Sequence, residues 1–521
     1  MNELVHLLLE EAADHFPDHP AVVDVDREMT YRQLDAVANR IAHQLAELNV
    51  CRGDRIGLYL EKSAESLACV YGVLKAGAAY VPLAPDAPVA RLANLIRHAK
   101  IRILLSGIER AGQWSALVGG DSSPIEHLVC VNGLVGQDHE VPGAAMLDTA
   151  DLARWPEYRP DVAVGADDPA YVLFTSGSTG IPKGVVLSHH NALSFVDWGV
   201  AEFGLMHRDR LSSHAPLHFD LSIFDLFAAA SVAATVVIVP REVAMFPAEL
   251  ATFVRATDIS VWYSVPLAVN MLASRSGLEP GKLPRLRIIL FAGEVFPVSQ
   301  LRQALVTFPD AEFYNLYGPT ETNVCTYYHV PRPLAEECHA IPIGRPISGV
   351  ELFCLDEDGH PTGVNERGEL WVSGPTVMRG YLNDPEQTAE VLRAPDPGRA
   401  EIIAYRTGDI TSRDEDGVWH FFGRRDSQIK SRGYRIELGE IEASLNAHPA
   451  VLECAVIAVP DVTFGNRIKA YVITKEAVST TVLASYLRQL LPTYMVPSSF
   501  DRRTALPRTS NGKIDYNVLK K

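Results

Sequence analysis

The sequence predicts an α/β protein: a large N-terminal domain of layered α/β subdomains plus a β-rich subdomain, followed by a small α+β C-terminal domain. Three observations carry this. The chain has 521 residues, too many for one hydrophobic core. Up to residue 330, apolar residues at helical spacing alternate with short runs rich in Val, Ile and Leu, the pattern of helices packed on largely parallel sheet. Beyond that point short strands and turns take over, and residues 436–521 read as a block of their own.

In chain order, the pattern predicts a helix after Asn2, a strand near 21–25, a helix over 30–48, a strand at 55–60 and a helix running into Lys75. Residues 111–168 are rich in Gly, Pro and Asp and less patterned. The apolar run Tyr171 to Phe174 reads as a buried strand, and apolar character resumes at Val185. Residues 340–382 predict the β-rich subdomain, 384–404 a loop or short helix, and 405–435 are dense in Gly, Asp and Arg. The last block predicts helix 438–447, strands 451–459 and 468–474, helix 480–491 and a polar tail. The domains expected are 1–423 and 424–521.

Apolar content of 47% and charged content of 21% are ordinary for a globular enzyme. A net charge of -17 argues against nucleic acid and against an anionic membrane surface as partners. The seven cysteines are scattered without a C-x-x-C pair, so neither a disulfide framework nor a zinc site is indicated. Acids near the N-terminus fit an amphipathic helix better than a signal peptide, and the apolar run Leu226 to Val239 is too short to span a bilayer. A cytoplasmic protein is expected.

Chemistry concentrates first in residues 171–190. Thr175, Ser176, Gly177, Ser178, Thr179, Gly180 and Lys183 combine glycines that turn backbone N–H groups towards an anion, hydroxyl donors and one mobile cation. A Walker A loop is excluded, because Pro182 precedes Lys183 and Gly184 follows it. A plain Gly/Ser turn is the remaining alternative. The second constellation runs from Tyr314 to Thr322, where an aromatic face able to stack on adenine, a hydroxyl and a hard carboxylate suited to Mg²⁺ fall within one turn of chain. Asp220 stands among apolar residues in Phe219-Asp220-Leu221-Ser222-Ile223-Phe224, as either a helix N-cap or the anchor of an ammonium-bearing ligand.

The stretch T-S-G-S-T-G-I-P-K-G closely resembles the phosphate signature of the adenylate-forming superfamily, which contains acyl-CoA synthetases, luciferases and the adenylation domains of nonribosomal peptide synthetases. Further resemblances are Leu74 to Pro85, Y-G-P-T-E at 317–321, T-G-D at 407–409, the run Gly423 to Glu437, and Pro507 to Lys513. The resemblance implies ATP as cosubstrate. Tyr317 packs on adenine with Asn315 at its edge, Thr320 contacts phosphate, Glu321 holds Mg²⁺, Asp409 holds the ribose and Arg424 reaches the nucleotide. Gly293, Glu294 and Gly318 complete the nucleotide set, Asp426 is the hinge of the small domain, and Lys513 is the catalytic lysine, with Thr320 and Glu321 beside it.

It further implies an amino acid pocket of Asp220, Leu221, Phe224, Tyr263, Leu290, Ala292, Leu316, Val324 and Cys325. Apart from Asp220 and Lys513 this lining carries no charge, and Phe224 and Tyr263 make it small. The set is similar to that of stand-alone L-proline:carrier-protein ligases. The expected reaction is therefore activation of L-proline as its adenylate with release of pyrophosphate, then transfer to the phosphopantetheine thiol of a separate carrier protein. Gly119-Gly120-Asp121-Ser122 superficially matches a carrier attachment site, but it lies inside the α/β pattern. The alternatives are a ligase for another small apolar amino acid, an acyl-CoA ligase, which Asp220 disfavours, and a silent module, which the intact Lys183, Glu321, Asp409 and Lys513 disfavour.

Overall fold

A computed structural model describes residues 2–25, 27–119, 123–132, 141, 145–177, 182–426, 428–461, 465–475, 478–508 and 514–520. Two large sheets and one smaller one are formed before residue 425. The nine-stranded sheet runs, in spatial order, Arg345–Pro346, Thr326–His329, Glu312–Tyr317, Ile288–Ala292, Val261–Ser264, Arg210–Ser213, Thr235–Ile238, Pro20–Asp24 and Arg27–Thr30. Its centre is parallel and its margins antiparallel. The eight-stranded sheet places Lys183–Ser188 and Pro169–Thr175 beside Ala79–Pro82, Arg55–Tyr59 and Ile103–Ser106.

The strands are short apolar runs buried on both faces, as expected where helices cover a parallel sheet. Helix Tyr31–Glu47 starts where the sequence predicts, because Thr30 and Gln33 form a reciprocal capping box. Lys75, fully buried, holds Glu10 and Asp35 together and so ties helix Val5–His15 to its neighbours. Among the described residues no helix is long and apolar enough to cross a membrane.

The β-rich region is larger than the sequence predicts. Its five-stranded sheet takes Glu351–Leu355 and Gly368–Ser373 from the expected 340–382, but recruits Leu392–Arg393, Ala404–Arg413 and Trp419–Arg424 from beyond it. Arg345–Pro346 and Gly380–Tyr381 pair with the two large sheets instead. The segment 384–404 contains helix Pro385–Val391, capped by Asp384.

From Gln428 onward the chain builds separately. A two-stranded hairpin, Gln428–Ser431 with Tyr434–Glu437, precedes helix Leu438–Asn446. A three-stranded sheet of Val451–Asp461, Gly465–Thr474 and Ser499–Arg502 and helix Thr480–Leu490 share a core with them, around Ile436, Ile441, Leu483 and Met495.

Candidate functional site

Open parallel sheets bind ligands beyond the carboxyl ends of their strands, and the predicted residues gather there. Thr175 ends one strand, Tyr263 and Ala292 lie at the ends of two more, and Tyr317 ends a fourth. Asp220 precedes helix Ser222–Ser231. The chain leaves strand Pro169–Thr175 and returns as the antiparallel strand Lys183–Ser188, so the glycine-rich stretch joins two strands rather than a strand and a helix. Ser178, Thr179 and Gly180 lie outside the described residues, as do Lys513 and Gly120 to Ser122.

One cavity of about 690 Å³ contains Gly293, Glu294, Asn315, Leu316, Tyr317, Asp409, Arg424 and Asp426. Tyr317 donates its hydroxyl to Asp409, and Arg424 donates to the other oxygen of the same carboxylate at 2.7 Å. Arg424 is also bidentate to Asp426, at 2.8 and 2.7 Å, so the expected ribose ligand and the expected hinge are bound to one guanidinium. Asn315 donates to the Pro342 carbonyl at 2.8 Å.

A second cleft of about 120 Å³ is lined by Thr175, Ser176, Asp220, Leu221, Tyr263, Ala292, Gly318, Thr320 and Val324. Asp220 does not cap its helix. Its Oδ2 accepts the Thr320 hydroxyl at 2.8 Å, and burial pushes its carboxyl above the usual carboxylate range despite that bond. Such an acid is stabilised by a cation, and Lys430 offsets only part of the cost of its burial. Gly318 sits so close to the Asn323 carbonyl that a Cβ would fall 1.6 Å from its oxygen.

Four predicted pocket residues are placed differently. Phe224 is wholly buried with its ring edge-on to Tyr263, centroids 5.9 Å apart, so it backs the wall rather than forming it. Leu290 and Cys325 are also fully buried behind the cleft, and burial raises the Cys325 thiol to about 12. Leu316 faces the larger cavity. Lys183 lines neither cavity; its ammonium lies 5.3 Å from the centre of the Tyr381 ring.

The expectation of a lining without further charge is corrected: helix Val89–Ala99 contributes Arg91, and the hairpin brings Lys430 and Arg435 into the cleft. Sequence reasoning left both residues unassigned, although both lie in the charged run from Gly423. Burial lowers the Lys430 ammonium below its ordinary value, with Asp409 and Asp220 opposing that shift. Arg435 pairs with Glu321, whose other oxygen accepts the Tyr381 hydroxyl at 2.8 Å. Burial alone would raise Glu321, but the guanidinium holds it below the usual carboxylate range. The hairpin tip meets the large sheets directly: Gly433 N–H donates to Glu294 at 2.7 Å, and Ser176 donates to the Arg435 carbonyl at 2.9 Å. Tyr434 stacks on Tyr494 with centroids 3.6 Å apart and meets Phe219 edge-on.

Residues 9–382 match the AMP-binding enzyme family and residues 440–513 the AMP-binding enzyme C-terminal domain. The chain is 37% identical to an L-proline--[L-prolyl-carrier protein] ligase of Pseudomonas fluorescens, over 99% of each chain. It is 36% identical to a protein of the same name from Streptomyces coelicolor, over 99% of this chain and 96% of that one. A solved structure of holo-PA1221, a nonribosomal peptide synthetase protein with adenylation and PCP domains bound to a vinylsulfonamide inhibitor, is similar with a TM-score of 0.81. It shares 27% identity over 99% of this chain and 84% of that one.

Proposed function

The chain belongs to the AMP-binding enzyme family, and from that premise we propose that it activates L-proline with ATP and passes the prolyl group to the thiol of a separate carrier protein. One observation carries the choice of an amino acid: Asp220, withdrawn from bulk water, faces a cleft of about 120 Å³ in which it is the one acid lining the wall among the described residues, while Arg91, which also lines it, is paired with Glu440. An α-ammonium meets Asp220 and a small apolar side chain meets Tyr263, Ala292 and Val324. The similarity to named proline ligases supports proline among such acids.

In the first half-reaction a carboxylate oxygen attacks the α-phosphorus of ATP and the bond to pyrophosphate breaks. In the second, a thiolate attacks the carbonyl of the mixed anhydride and AMP departs. The groups around Tyr317, Asp409 and Arg424 fit an adenosine. Catalysis is alignment of the carboxylate with the phosphorus plus neutralisation of charge building on its oxygens, the role proposed for Lys513. The domains proposed are 1–423 and 424–521, with Asp426 as hinge; the proximity of Asp426 to Arg424 and Asp409 supports that reading.

Mg²⁺ is proposed as the partner of Glu321, a buried hard oxygen donor. In the present arrangement a metal does not fit there, because a guanidinium occupies the same carboxylate.

The test is amino-acid-dependent ATP–pyrophosphate exchange across a panel of amino acids. Proline is expected to give the fastest exchange, with valine and pipecolate slower, since one methylene is worth only about 1–3 kcal/mol of discrimination. Absence of exchange with every amino acid rejects the reading.

A further inference from the structure

The hairpin at 428–437 presents two cations side by side. Lys430 and Arg435 are directly opposite each other in its antiparallel register, a pairing that is unfavourable unless acids face it. The large sheets supply them. Lys430 faces Asp220 and Asp409, and Arg435 is paired with Glu321. With the hairpin docked Glu321 is fully enclosed, so in this arrangement its charge requires a partner cation, and Arg435 is that partner.

The hairpin is shaped to deliver Arg435. Arg432 and Gly433 both have positive φ, as in a two-residue turn of the primed type, and a Cβ at Gly433 would come within 2.5 Å of Val265. Ser176 grips both sides of the arginine, donating to its carbonyl and accepting from Glu437 N–H at 3.2 Å. Ser176 also belongs to the glycine-rich stretch, so docking of the hairpin and a neighbouring phosphate compete for the same ground.

We propose that Arg435 is the alternative counter-ion of Glu321: the docked hairpin and a divalent metal at this carboxylate exclude each other, so metal occupancy decides which arrangement the chain adopts. This rests on Glu321 as the metal-binding carboxylate. Arg435 is thus a positioning residue, acting through Glu321 rather than on substrate.

The test is Mn²⁺ binding to the nucleotide-free full chain, read from the free-ion electron paramagnetic resonance signal. Arg435→Ala is expected to gain a site about tenfold tighter than any in the native protein, Arg435→Lys to gain none, and Arg435→Ala with Glu321→Gln to lose it again. Equal binding by the native and Arg435→Ala proteins overturns the proposal. Should Arg435→Ala fail to fold, energy transfer between dyes on Cys51 and Val482→Cys, both exposed, reads the arrangement of the otherwise native chain. Magnesium chloride with pyrophosphate is expected to shift the distance distribution, and an unchanged distribution overturns the proposal. Neither measurement uses an amino acid, so a failed exchange panel and a failed metal competition are told apart.

Discussion

The groups that meet at the cleft arrive by two different routes. Asp220, Tyr263, Ala292 and Tyr317 stand at or just beyond strand ends of a nine-stranded sheet, so ladder hydrogen bonds and a buried core fix them. Lys430, Gly433 and Arg435 come from a two-stranded hairpin, held by a few bonds at its tip and by charge. Under the proposed reading the first set defines what is bound. The second pairs with neither large sheet through a strand ladder, which under the proposed reading suits residues needed in only one half-reaction.

The sharpest way to break this division is Lys513→Ala. Loss of one group stabilising the transition state is expected to slow adenylate formation by about 10²–10³-fold, while transfer from a preformed adenylate changes little. Equal losses in both half-reactions, measured by pyrophosphate exchange and by single-turnover loading, would deny that the C-terminal segment serves one step at a time. Next in size is Asp220→Ala in the rigid set. It leaves an ammonium buried without its partner, worth about 3–5 kcal/mol, so KM for proline should rise by roughly two to four orders of magnitude while ATP binding in a dialysis assay is unchanged. Loss of both would mean that Asp220 supports the scaffold rather than the ligand.

The third effect concerns acid, read as stability rather than as catalysis. Burial lowers His214 and His218 to about 4, as it does His189, and His6 to about 3. An unfolded histidine takes its proton near pH 6.5, so the unfolded chain binds more protons below that value. The stability these residues contribute is full above about pH 6.5 and is lost as pH falls through about 4. All four lie outside the C-terminal block. Thermal unfolding followed at falling pH should therefore lose the transition of the large sheets first, and a transition temperature constant from pH 7 to 5 would refute this.

The same contrast governs how much was legible in the sequence. Thr175 and Tyr317 could be read because each sits at the close of an apolar run, Tyr263 and Ala292 followed only from the resemblance, and Thr30 and Gln33 announce their helix by local chemistry. The β-rich sheet was underestimated because Gly368–Ser373 pairs with Ala404–Arg413, and Trp419–Arg424 adds beyond it, a non-local register that no short window contains. Arg435 escaped for a related reason. It lies 114 positions from Glu321, and a charged loop with five cations between 424 and 435 gives no sign of which one will be buried. Phe224, Leu290 and Cys325 were read as lining because the resemblance carries over positions in the chain and does not distinguish the surface of a wall from the layer behind it.

The return of the chain from the glycine-rich stretch as a strand has a thermodynamic corollary. A strand carries almost no axial dipole, so bound phosphates gain none of the favourable field that a helix N-terminus supplies. Under the proposed reading the phosphates then depend on the backbone N–H groups and hydroxyls of the stretch alone, and more of the nucleotide's retention falls to its nucleoside end, among Tyr317, Asp409 and Arg424.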